Sequence, residues 1–278
     1  MSVGEMRLKI SSVLPRIGLS SLILCFASGI ILVFHYRPTG DVFRSVEEIS
    51  ALVPYGWFFR QLHYGSGQVF VILMFLHTVD HFLKRRYVHY PMREWVTLIV
   101  ALVLSFLALF TGFILKADKE GLFAGRIFMN ILQTIPLIGD SVSRLFIVSG
   151  KDFFFLPYLY HCFFLPVLIV YLIRHHIREW LPGKGFMMAG MFGLFLYALV
   201  IKPAIALPPD AVVKTVRGPW FFLGMQSFLK VIPPFWGGIA IPGLFAVFVF
   251  LLPLSKKRRV NAPPVALSIW GRVDWLRR

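Results

Sequence analysis

Hydrophobic positions along this chain fall into long, nearly unbroken runs, not the alternation of a half-buried strand or the narrow stripe of a surface helix. Six such runs lie at approximately Ile17–Phe34, Gln61–Leu83, Trp95–Leu115, Phe153–Ile173, Phe186–Ile201 and Phe235–Leu254, each bounded by charges or by proline and glycine clusters. A helix needs about 20 apolar residues to cross roughly 30 Å of hydrocarbon, so the pattern predicts an all-α integral membrane protein with about six transmembrane helices, A to F. Two connections are too long for simple turns. The C–D loop holds an apolar amphipathic stretch from Ile127 to Ile138, and the E–F loop holds another from Trp220 to Ile232. Both predict short helices lying on the outer face. Helix A is long for a signal segment, and no small-residue cleavage motif precedes His35-Tyr36-Arg37-Pro38, so it is expected to remain as a span.

Composition supports this class. Of 278 residues, 58% are hydrophobic and 15% charged, which leaves too little polar surface to wrap a soluble globule. A net charge of +16 raises the question of nucleic acid, but the position of the charges answers it. The amino-terminus, the B–C and D–E loops and the carboxy-terminal tail together carry +12, while the A–B, C–D and E–F loops carry +4. Lysine and arginine collect on the cytoplasmic side of short loops, so both termini are expected to be cytoplasmic, with Lys256-Lys257-Arg258-Arg259 as an anchor at the lipid surface. The two cysteines, Cys25 and Cys162, lie in apolar runs and offer neither a disulfide framework nor a Cys-rich metal site.

Candidate chemistry comes from histidine. Six of eight histidines fall in or beside helices B and D, where an ionisable group is costly and usually serves a function. His63 and His77 on B are 14 residues apart, which returns to within about 40° of one helix face after a rise of roughly 21 Å. On D, His161 pairs in the same way with either His175 or His176. Because B and D run in the same direction, His63 is level with His161 near the outer surface, and His77 is level with His175 or His176 near the inner one. Paired imidazoles facing each other across a bundle provide the axial ligation of a b-type haem. His81 also lies on this face but about 27 Å from His63, at the headgroups beside Lys84-Arg85-Arg86. Those cations, like Arg60 three residues before His63, are either topology anchors or partners for haem propionates.

These residues resemble the cytochrome b family. The likeness begins with Tyr36-Arg37-Pro38-Thr39 and continues through Gly56-Trp57-Phe58-Phe59-Arg60-Gln61-Leu62-His63, similar to that family's G-W-x-x-R-x-x-H entry into helix B. It extends to Thr111-Gly112-Phe113, to Ile135-Pro136-Leu137-Ile138-Gly139 and to His161-Cys162-Phe163-Phe164-Leu165-Pro166. Proline five residues after the first histidine is similar to the chloroplast-type branch, which implies His176 as the second ligand on D. The resemblance implies an outer haem on His63 and His161, an inner haem on His77 and His176, and electron transfer between quinone sites at the two faces of an energy-transducing membrane, such as a bacterial inner membrane. It further implies iron–sulfur or c-type cytochrome partners and a homodimer. Residues 1–182 would form the di-haem domain, and residues 183–278 a carboxy-terminal segment with two spans.

The departures concern the outer quinone site. Aligned back from Gln226, the chain reads Arg217-Gly218-Pro219-Trp220-Phe221-Phe222 where the family has Pro-Glu-Trp-Tyr, so Gly218 stands in place of the carboxylate that takes a proton. Trp220 and Phe221 remain as candidate quinone contacts, with Asp118 and Asp210 as substitute carboxylates or plain loop charges. Leu115-Lys116-Ala117-Asp118 replaces the usual Leu-Pro-Trp, and Leu156 an arginine. Val13 occupies the position of the cysteine that would attach a third haem, so no covalent haem is expected. Two further readings stay open on the residues alone: a haem-bearing membrane anchor of a quinone-linked dehydrogenase or reductase, and a six-helix transporter without haem.

Overall fold

The computed structural model describes residues 3–181, 184–202, 206–213, 215, 216 and 218–255; the tail cluster Lys256–Arg259 lies outside them. Its elements are helices α1 (Val3–Val33), α2 (Val42–Ala51), α3 (Gly56–Leu83), α4 (Met92–Ile114), α5 (Lys119–Gln133), α6 (Gly139–Phe146), α7 (Phe155–Leu159), α8 (Leu165–Trp180), α9 (Lys184–Val200), α10 (Leu223–Phe228) and α11 (Ile241–Leu251). No strand occurs among the described residues. Five helices are long and apolar enough to cross a membrane: Ser12–Val33, Gly56–Leu83, Met92–Ile114, Phe155–Trp180 and Trp236–Ser255. These correspond to A, B, C, D and F. The counterpart of E, α9, has 17 residues and reaches about 26 Å, slightly less than the roughly 30 Å hydrocarbon core.

Helices α1 and α3 pack along each other, α4 pairs with α8, and contacts of α3 with α4 and of α1 with α8 close the four into a bundle. Its core joins Leu19 and Leu22 of α1, Phe70, Val71 and Met74 of α3, Ala101 of α4, and Leu165, Ile169 and Ile173 of α8. Buried serines inside the spans are satisfied within their own helix. Ser20, Ser21 and Ser28 are buried and donate to the carbonyls of Arg16, Ile17 and Leu24 one turn back.

The A–B and C–D connections hold short helices. Asp118 begins α5 as its N-cap, accepting from the Gly121 amide at 2.8 Å, and Lys116 pairs with the same carboxylate at 2.8 Å. Under α5 and α6, Phe110, Phe113, Ile114, Ala124, Ile147 and Phe153 form a second apolar cluster. In the A–B connection, Asp41 caps α2, whose buried Val42, Val46 and Ile49 face the bundle. Tyr36 donates to the Leu115 carbonyl at 3.0 Å and stacks on Tyr158. Burial pushes the Tyr36 hydroxyl far above its usual range, so it remains a donor. Helix α11 is pinned by buried Trp95, whose Nε1 donates to the Val249 carbonyl at 2.8 Å.

Candidate haem-binding site

The outer histidines are set by two local features. His63 lies two turns into α3. His161 lies in a π turn, Tyr160–Phe164, between α7 and α8. Pro166 has no amide hydrogen and its ring would strike the carbonyl of residue 162 in a regular helix, so the preceding turn widens and Leu165 bonds back to the Tyr160 carbonyl. The same device precedes Pro242, in the π turn Trp236–Ala240.

The rings of His63 and His161 face each other with centroids 5.8 Å apart and planes at 82°. Each directs its Nδ1 toward a backbone carbonyl on a neighbouring helix: His63 to Cys25 of α1 at 2.8 Å, and His161 to Ala108 of α4 at 2.9 Å. A carbonyl only accepts, so Nδ1 carries the proton in both rings and Nε2 is the lone-pair nitrogen, the tautomer a metal ligand needs. The carbonyl used is four residues before a glycine in both cases. A Cβ at Gly29 would sit 2.9 Å from His63 Cε1, and one at Gly112 would sit 2.6 Å from His161 Cε1. These two glycines allow the imidazoles to reach the α1 and α4 backbones. Gly65 instead receives the ring of Tyr197, while Gly67 borders Cys25.

The inner histidines gather around Trp180. The His176 ring stacks on it at 5.3 Å and 23°, and the His77 ring meets it edge-on at 6.0 Å. His77 Nδ1 is buried without a hydrogen-bond partner among the described residues. His175 is exposed, whereas the His176 side chain is 19% exposed and turned inward, with Glu179 at 3.8 Å. His81 is buried and lies 4.3 Å from the His77 ring.

A family model described as Cytochrome b/b6/petB matches residues 7–179, well over half of the chain. The chain belongs to the cytochrome b family. Its relatives include cytochrome b6 of Gracilaria tenuistipitata var. liui, 31% identical over 163 residues that cover 57% of this chain and 76% of the relative. Cytochrome b of Schizosaccharomyces octosporus is 27% identical over 269 residues, covering 84% of this chain and 69% of the relative. Among solved structures, a chain of a hyperthermophilic respiratory Complex III superposes with a TM-score of 0.67 at 19% identity, covering 88% of this chain and 75% of that chain, a likeness of fold.

As a cytochrome b, the chain is an integral membrane protein of electron transport that uses b-type haem. Its residues fit the group. The outer imidazoles present Nε2 with the proton held on the far nitrogen, glycines stand where a Cβ would displace the rings, and His77 keeps a buried nitrogen for which the described residues supply no hydrogen bond.

Other sequence candidates are placed differently. Arg60 turns to α2, donating to the Val46 carbonyl at 3.3 Å and to Ser50 Oγ. Trp220 donates from Nε1 to Gln68 of α3 at 2.6 Å, while Phe221 and Phe222 pack on Phe113 and Phe110 of α4. The loop segment therefore bridges α3 and α4 beside the outer pair. At Gly218 the amide donates to Gln226 Oε1 at 3.0 Å, and Gln226 Nε2 donates to the Val216 carbonyl at 3.1 Å, so the side chain at 226 fastens this loop. Asp118 is occupied as a cap and ion-pair partner, and Asp210 is exposed. Trp180, Gly112 and the carbonyls of Cys25 and Ala108 were not singled out as site groups from sequence. A carbonyl leaves no mark in a sequence, and Thr111-Gly112-Phe113 was visible only as a motif.

Proposed function

We propose that this cytochrome b holds two b-type haems, the outer on His63 and His161 and the inner on His77 and His176, and carries electrons across the bilayer between the quinone pool and partner redox subunits. The observation that carries the reading is the matched arrangement of His63 and His161: two facing imidazoles on different helices, each with its Nδ1 proton given to a carbonyl four residues before a glycine. When bound, the haems supply one-electron transfer; the protein supplies ligands, orientation and a dry interior. The roughly 21 Å rise between the histidines of α3 separates the two sites along the membrane normal. Residues 1–182 form the haem unit in this reading, and residues 183–278 add α9, α11 and the loop that bridges α3 and α4. Both termini are cytoplasmic, the outer partner is an iron–sulfur protein or a c-type cytochrome, and the chain works as a homodimer.

Quinone is expected at the inner face, and at the outer face beside Trp220 and Phe221. A second reading, a haem-bearing anchor for a quinone-linked dehydrogenase or reductase without bifurcation, is favoured by Gly218, because an amide fastened to Gln226 cannot accept a proton from quinol. Optical redox titration of the purified chain tests the di-haem reading. Two b-type components are expected, one removed by His63→Ala or His161→Ala and the other by His77→Ala or His176→Ala. A single component, or loss of both in every variant, counts against it.

A further inference from the structure

At the inner end of α3 the chain reverses through Lys84 and Arg85, the latter in the left-handed region at φ 50, and a 3-10 turn over Arg86–Val88 brings Arg86 back against the helix it has just left. Arg86 Nη1 lies 3.3 Å from His81 Nε2, and the Tyr90 hydroxyl lies 3.5 Å from His81 Nδ1. The donor arithmetic is fixed by arginine. A guanidinium has five N–H groups and no acceptor, so His81 Nε2 must accept and the neutral ring carries its proton on Nδ1, facing Tyr90. Both nitrogens of His81 are therefore engaged, and His81 buttresses the His77 ring 4.3 Å away without competing for a metal.

The three successive cations are not equivalent. Lys84 pairs with Asp80 at 2.6 Å, and Arg85 is exposed. Arg86 is half-buried and joins no ion pair among the described residues; its charge meets a neutral imidazole. A planar fork of donors with unmet charge is a receptor for a carboxylate, which it binds through two parallel hydrogen bonds.

We propose that Arg86, oriented by His81 and Tyr90, is the carboxylate-binding residue of the inner haem and receives one of its propionate groups. This rests on the reading of His77 and His176 as that haem's ligands. An anionic lipid headgroup offers similar chemistry, so the test must distinguish the two. Full-length wild type, Arg86→Gln, Arg86→Lys and Arg85→Gln are compared by optical redox titration, with His77→Ala identifying the inner component. Removing a cation beside the carboxylate favours the oxidised, more positive iron. Arg86→Gln is expected to lower the inner midpoint by about tenfold in the reduction equilibrium, which is 59 mV for one electron, leaving the outer component in place. Arg86→Lys restores most of the shift and Arg85→Gln produces none. Loss of the inner component alone in Arg86→Gln, regained in Arg86→Lys, supports the proposal equally. An unchanged inner midpoint in Arg86→Gln overturns it, and if anionic lipid is then lost on purification, Arg86 serves a headgroup. If wild type has no component that His77→Ala removes, the ligand reading fails and the proposal falls with it.

Discussion

An imidazole that gives Nε2 to iron must place its Nδ1 proton somewhere, and in this chain the place is a helix carbonyl that a side chain would otherwise shield. Gly29 and Gly112 matter for that reason. Gly29→Ala and Gly112→Ala are each expected to weaken haem retention at the outer site by about 10–100-fold, the usual effect of disturbing a ligand's supporting shell, without altering the inner component. Haem titration of the apo-protein measures it. Unchanged outer affinity in both variants would mean that the rings settle without those carbonyls. At this scale the ionisable residues were legible, because charge and histidine are conspicuous in an apolar run. The choice between His175 and His176 needed a family spacing, and the structure turns His176 inward onto Trp180. Arg60 lies three residues before His63 in sequence, and its guanidinium bonds to α2.

Helices were legible as spans because the bilayer demands length and apolarity together, but their ends were not. Helix α3 starts at Gly56, five residues before the predicted Gln61, since Gly56 to Arg60 are polar or aromatic enough to read as loop while still helical. Helix α2 went unpredicted although Asp41 caps it and Val42, Val46 and Ile49 line one face; ten residues were too few to stand out between two spans. The π turn at His161 was also hidden, yet Pro166 encodes it. Pro166→Ala restores an amide hydrogen, lets the turn close as α-helix and rotates His161 away from its partner. The expected outcome is a folded chain with a shifted or missing outer haem spectrum and a normal inner one; an unaltered outer spectrum would show that packing, not proline, holds the turn. In the E–F loop, Gln226→Ala removes two hydrogen bonds, worth about 1–3 kcal/mol together. Faster proteolytic cleavage near Gly218 is expected, and equal rates would show that Gln226 does not fasten the loop.

For the whole molecule, the distribution of charge and the span count specify a topology. With α9 counted as a short span, reporters fused to either end should both read as cytoplasmic, and opposite readings would remove α9 from the membrane count. Family membership rests on residues 7–179, the segment with all four ligand candidates. A pyridine haemochrome count per purified chain reports whether the two matched histidine pairs hold a pair of haems. Two b haems in wild type and one in each of His63→Ala, His161→Ala, His77→Ala and His176→Ala is the predicted result. A count of one in wild type, or variants that keep both haems, would contradict it.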